Sequence, residues 1–208
     1  MSKITPKVDG PLLAQDVPNL RDHEGNAIEA RETYGLCRCG LSSKKPFCDG
    51  SHKNAGWESA NTTDLKLNKI FSYVGDVEGQ QVKISFNPAL CGHVAECGRL
   101  HKAVFNTKQQ PWVQPENGTV EGIKAVIKGC PSGALRAGWN GEEPVHDQEA
   151  EPEITVMENG PLKVTNIALD GEFNGVEANP NGYLLCRCGA SKNKPFCDGS
   201  HHEIKFKG

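Results

Sequence analysis

The chain has 208 residues, 37% of them hydrophobic and 24% charged, with a formal net charge of -3. It contains no run of about 18 apolar residues that would cross a membrane as a helix, and its slight negative charge offers no basic stripe for nucleic acid. With 23 Gly and 13 Pro, many turns and short elements are expected, while nine Cys in three groups of three point to metal or cluster sites in a reducing compartment rather than to disulfides.

The opening segment "MSKITPKVDGPLL" lacks the apolar stretch of a signal peptide, so a cytoplasmic location is expected. Its "ITPKVDGPLL" from Ile4 is answered by "ITVMENGPLK" from Ile154, with Gly10-Pro11-Leu12 matching Gly160-Pro161-Leu162. "CRCGLSSKKPFCDGSH" from Cys37 then recurs as "CRCGASKNKPFCDGSH" from Cys186, differing only at Leu41/Ala190, Ser43/Lys192 and Lys44/Asn193. Trp57 and Phe206 correspond as well, each five residues beyond the closing His. Each copy is a module of about 55 residues, too small to stand without a staple.

Residues 65–140 follow a different pattern. "QVKISF" predicts a strand, and "NPALCGHVAECGRL" predicts a short helix with Asn87 and Pro88 at its cap and first turn. "TVEGIKAVIKGC" places Val120, Ile123, Val126 and Ile127 on one helical face that closes at Gly129. The stretch 141–153 is acidic and contains Pro, as a solvated linker does, and its His146 is expected to be a bystander. In the second copy, 162–167 and 183–186 predict strands between Gly, Asn and Pro turns. The expected division is 1–60, 65–140, a linker at 141–153, and 154–208.

In each copy, Cys37 and Cys39, or Cys186 and Cys188, are separated by one residue, so an extended backbone points both thiols to one side. Cys48 and His52, or Cys197 and His201, are four apart and share a face if "CDGSH" opens a helix, with Asp49 as its cap. Pro46 stiffens the approach and Gly50 permits close packing. Three thiolates and one imidazole suit a closed zinc site, yet C-x-C, eight residues and C-x3-H is not the usual zinc knuckle spacing.

The pattern C-x-C-x2-S-x3-P-x-C-D-G-S-H, met in full by both copies, resembles the CDGSH iron-sulfur family, also called NEET proteins. The resemblance implies a 2Fe-2S cluster in each copy, one iron on two Cys and the other on Cys and His. By analogy with Rieske centres, the imidazole raises the reduction potential and makes the cluster acid-sensitive. Arg38, Arg187, Lys45 and Lys194 either offset the cluster charge or form a solvated basic face. His202, absent from the first copy, is expected at the surface.

Cys91, Cys97 and Cys130 remain. The segment that contains them resembles a divergent mono-cluster ferredoxin, but Val94 stands at the middle cysteine position of C-x2-C-x2-C, and valine binds no iron. Three thiolates suit a 3Fe-4S cluster; a 4Fe-4S cluster would need His93 or solvent on its fourth iron. The remaining alternative is a set of three buried cysteines in a fold that has lost its cluster, with His101 structural or exposed.

The expected fold is α+β, with two small β-rich NEET-like modules pairing about a pseudo-two-fold axis and a ferredoxin-like α+β middle. The expected function is single-electron transfer, or alternatively cluster storage, transfer or sensing, with no enzymatic turnover. The expected partner is a redox protein or an apo iron-sulfur acceptor, and the expected state is a monomer, because two motifs in one chain replace the two-fold dimer that the family resemblance implies.

Overall fold

The computed structural model describes residues 1–60, 69–146, 151–173 and 175–208. The expected start of the middle domain at residue 65 and the centre of the expected linker, 147–150, lie outside the described residues. The fold is mixed α+β, with small sheets and the short helices α1 (Ser51–Asn54), α2 (Glu96–Leu100), α3 (Val120–Gly129) and α4 (Ser200–Glu203).

Both "GPL" segments form the turns of antiparallel hairpins. In the first copy, β1 (Lys3–Pro6) returns as β2 (Leu12–Gln15), with the Lys7 amide donating to the Pro11 carbonyl at 2.9 Å. In the second, β8 (Glu153–Val156) returns as β9 (Leu162–Thr165), with Met157 donating to Pro161 at 3.1 Å. Asp9 (φ 46°) and Asn159 (φ 48°) take the left-handed position in these turns, which short polar side chains tolerate. The alternation expected of half-buried strands follows: Leu12 and Ala14 are buried in β2, and Ile154 and Val156 in β8.

The copies then exchange edges. β4 (Thr33–Leu36) completes the first copy's own strands, but the fourth strand of that sheet is β10 (Ala168–Leu169), giving the order β10-β1-β2-β4. The other sheet, β11-β9-β8-β3, combines β11 (Tyr183–Leu185) with β3 (Asn19–Asp22) of the first copy. Both borrowed strands run parallel to their neighbours, with Lys3 opposite Ala168 and Leu20 opposite Ile154. Each copy thus covers an edge that would otherwise present unpaired backbone groups.

Between them, β5 (Phe71–Val77), β6 (Gln80–Phe86) and β7 (Leu135–Trp139) form an antiparallel sheet. Glu78 and Gly79, both with positive φ, make the two-residue turn between β5 and β6. The helix expected to close at Gly129 is present as α3. Thr119 caps it, its hydroxyl accepting from the Gly122 amide at 3.0 Å, and Ile123, Val126 and Ile127 are buried.

Two expectations are corrected. The helix expected from Asn87 shrinks to α2: His93 (φ 53°) and Ala95 (φ 58°) are left-handed and cannot belong to a helix, while Asn87 uses its side chain to accept from the Ala89 amide at 3.0 Å in a turn. Nor is the start of the expected linker solvated throughout: Val145 pairs with Ala137, and His146 is buried. No helix among the described residues is long and apolar enough to cross a membrane.

Candidate metal centres

In the first copy the Sγ atoms of Cys37 and Cys39 lie 3.7 Å apart, and Cys48 Sγ lies 3.5 Å from His52 Nδ1. The second copy repeats the distances, 3.7 Å for Cys186 and Cys188 and 3.5 Å for Cys197 and His201 Nδ1. A tetrahedral metal with bonds of about 2.3 Å to sulfur and about 2.0 Å to nitrogen sets such donors about 3.5 to 3.8 Å apart. Each pair is therefore spaced as two ligands of one metal. Among the described residues no three Cys, His, Asp or Glu side chains are grouped around a single ion position.

The loop that sets this geometry is held by its own side chains. Cys37 donates its amide to the Pro46 carbonyl and Cys48 to Gly35, both at 2.8 Å; Cys186 and Cys197 do the same to Pro195 and Leu184. Buried Ser42 and Ser191 donate to the carbonyls of Phe47 and Phe196 at 2.6 and 2.7 Å. Asp49 does not cap the helix as expected. In α1 and α4 the cap positions are Gly50 and Gly199, left-handed at φ 87° and 85°. Gly50 is thus required by its backbone conformation rather than by close packing, since a Cβ there would meet nothing.

Asp49 instead clips the loop. One carboxylate oxygen accepts from the Ser51 hydroxyl and amide at 2.6 and 3.0 Å, the other from the Ser43 amide at 2.8 Å. These bonds, the Ser51 hydroxyl first, hold its carboxyl well below the usual range. Asp198 makes the same clip with Ser200 and the Lys192 amide; burial pulls it up, but the hydrogen bonds outweigh that and leave it lowered.

The arginines of the C-R-C stretches do not form a solvated face. Arg38 and Arg187 are buried, donating through Nε to the carbonyls of Gly10 at 2.7 Å and Gly160 at 2.9 Å, which ties each motif to its "GPL" turn. Trp57 and Phe206 cover them, each ring centroid 5.2 Å from the guanidinium carbon, as the repeat alignment implies. Burial lowers both arginines, opposed for Arg38 chiefly by Cys186 and for Arg187 chiefly by Cys37, so each cation feels a thiol of the other copy. Lys45 and Lys194 donate to the Ser42 and Ser191 carbonyls.

The thiols respond to their surroundings. Cys188 is pulled down to about 6, first by its contact with Cys186 and then by the Ala190 and Ser191 amides, whereas burial pushes Cys197 up to about 12. His201 is lowered by burial. His202 is exposed, as expected, and stacks on His201 with centroids 4.0 Å apart.

Cys91, Cys97 and Cys130 line one cavity of about 370 Å³, together with His93 and Val94. Burial pushes Cys91 up to about 11, with the charges of Cys130 and Cys97 adding to it, so the three thiols face a common space. His93 is exposed. His146 approaches the backbone rather than a thiol, its Nε2 donating to the Cys130 carbonyl at 2.9 Å. His101 is half-buried, its carbonyl accepting from the Val104 and Phe105 amides.

Several contacts have no local signature in the sequence. Cys39 and Cys188 form an antiparallel bridge, and a Cβ at Gly40 or Gly189, both at φ 81°, would strike the carbonyl of Cys188 or Cys39. A glycine after C-x-C in both copies is the available hint. Asn193 donates to the Ala89 carbonyl at 2.6 Å, linking the second motif to the middle sheet's outgoing loop.

Residues 9–53 and 159–202 match the family described as iron-binding zinc finger, CDGSH type, and residues 77–140 match the divergent 4Fe-4S mono-cluster family. The chain is similar to the uncharacterized protein YjdI of Escherichia coli (strain K12) and to its counterpart in Escherichia coli O157:H7, each 40% identical over 58 residues that cover 28% of this chain and 76% of the relative. No solved structure matches. The chain belongs to the CDGSH-type iron-binding family, with two such domains flanking a divergent 4Fe-4S mono-cluster domain.

Proposed function

We propose that the protein is a single-electron carrier with two 2Fe-2S clusters, one held by Cys37, Cys39, Cys48 and His52, the other by Cys186, Cys188, Cys197 and His201. The observation that supports this reading is the division of each donor set into two pairs, each spaced for one metal. Cys37 with Cys39, and Cys48 with His52, would each hold one iron of a 2Fe-2S cluster, as would the corresponding pairs of the second motif. When bound, the clusters supply one-electron redox capacity. The protein sets the ligands through the serine and aspartate clips, and buries Arg38 and Arg187 where their charges offset thiolates on both sides of the seam.

A third cluster at Cys91, Cys97 and Cys130 fits the shared cavity and the match of residues 77–140. With Val94 in place of a thiol, it is either 3Fe-4S or a 4Fe-4S cluster completed by solvent or His93. The exchanged strands support a pseudo-two-fold pair built within one chain, hence a monomer serving a redox partner. The half-buried Cys48 favours a second reading, delivery of a cluster to an apo acceptor. Anaerobic purification should yield a red-brown protein with iron and acid-labile sulfide, and zinc without sulfide would overturn the proposal. Electron exchange with a reductase, measured beside cluster transfer to an apo-ferredoxin, separates the two roles.

A further inference from the structure

Of the three positions at which the two motifs differ, one pairs exposed Lys44 with buried Asn193. Asn193 reaches out of its own module to the Ala89 carbonyl, two residues before Cys91. A second strut runs parallel to it: Asn181 Nδ2 donates to the His146 carbonyl at 2.7 Å, and the His146 ring donates to the carbonyl of Cys130. Both struts thus end on loops that carry the middle thiols.

The surfaces between the struts are in contact. A Cβ on Gly92 would stand 2.6 Å from Leu184 Cδ1, and one on Gly199 would stand 3.3 Å from His93 Cβ. Cys197 is correspondingly buried at 3% exposure, and Phe196 at 1%, while their counterparts Cys48 and Phe47 in the first motif are only half-buried. The field of Cys91 also reaches Cys197.

We propose that the two CDGSH motifs are inequivalent by construction: Asn193 and Asn181 position the second against the middle thiols as their internal redox neighbour, and the first, with no such docking, leaves its Cys48 half-buried toward solvent. This rests on the three-centre reading above. One electron leaves the reduced middle centre and reduces the centre at the second motif, then that at the first, and finally a one-electron acceptor protein. Each transfer oxidises one centre and reduces the next, and no bond forms or breaks. Imidazole ligation raises potentials relative to thiolate-only ligation, so transfer from a thiolate-held middle centre to the second motif runs downhill; the two motifs share one ligand type, and proximity rather than ligation sets the order between them.

Electron paramagnetic resonance of the fully reduced, full-length protein tests the arrangement through magnetic coupling. The middle signal should be broadened by a neighbour, should narrow in Cys197→Ser, and should be unchanged in Cys48→Ser. Asn193→Ala, which keeps every ligand, should weaken the broadening. Equal narrowing in both Cys variants overturns the inference alone, whereas an iron and acid-labile sulfide content accounted for by the outer sites, with no third signal in either the oxidised or the reduced protein, overturns the three-centre reading and this inference with it. Should a Cys variant fail to fold, hydrogen exchange decides: Asn193→Ala should speed exchange in 89–97 about tenfold, as loss of one buried hydrogen bond implies, and Lys44→Ala should not. Unchanged exchange in Asn193→Ala would overturn the docking.

Discussion

Cys39 and Cys188 face each other across an antiparallel bridge, so the two motifs meet at equivalent cysteine-bearing residues. The crossing is possible because the next residue in each copy is a left-handed glycine with no room for a side chain. Gly40→Ala and Gly189→Ala should each lower stability by about 3 kcal/mol, combining backbone strain with a collision against a carbonyl. Gly50→Ala, left-handed but open to solvent, should cost only about 1 kcal/mol. Denaturant midpoints check the difference, and equal losses at all three positions would show that the crossing contributes nothing.

Acid should act first through the histidines. Burial holds His201 below its ordinary value of 6.5, with His202 and Arg187 adding to the effect and Asp198 opposing it. A lowered histidine favours the neutral form that binds metal, so the site is intact above the ordinary value and is lost as pH falls through the folded one. Visible absorbance of the loaded protein should be steady at pH 7 and should decay as the pH falls below the ordinary histidine value of 6.5. Replacing both His52 and His201 by Cys should move the decay to more acidic solution; an unchanged profile would remove the histidines as the labile ligands.

In that double variant the next loss should come from the aspartate clips. Asp49 and Asp198 are both depressed, so their contribution is present above the ordinary carboxylate value of 3.8 and disappears as the pH falls below it. Asp49→Asn should shift unfolding of the first motif toward neutral pH, as read by circular dichroism across an acid titration.

Much of the site is legible in the sequence because the repeat reports on itself. The recurrence of "GPL" marks the turns that Arg38 and Arg187 grip, and the correspondence of Trp57 with Phe206 marks the rings that cover those arginines. What escapes depends on tertiary partners. Asn193 looks like any loop residue until Ala89 is placed beside it, and the borrowed strands β3 and β10 carry no local sign of the sheet they join. The segment 87–95 has helix-start residues, yet its loop must wrap a cavity and meet Leu184, and His93 and Ala95 turn left-handed there.

The cap of α3 offers a test confined to the middle domain. Thr119→Ala removes the acceptor for the Gly122 amide and should cost about 1 kcal/mol of stability, with Thr119→Ser close to neutral. If the domain unfolds together with the module that Asn193 and Asn181 tie to it, a single thermal transition should move; a separate, earlier transition would show that the docking does not couple their folding.

The last prediction concerns assembly. A module of about 55 residues buries too little apolar surface to persist alone even with a metal staple. Each needs the other's edge strand, and here β1 takes β10 while β8 takes β3, so the pairing that would otherwise bring two chains together is completed within one. With β1 and β8 each paired on both sides, neither is left as an open edge to recruit a second chain. Light scattering should therefore return the mass of one chain, 22.5 kDa, at micromolar concentration. Leu20→Pro, which places an amide-free residue in β3 opposite Ile154, should open the pair and produce larger species or unfolding. A wild-type dimer that dissociates in this variant would show instead that the strands are exchanged between chains.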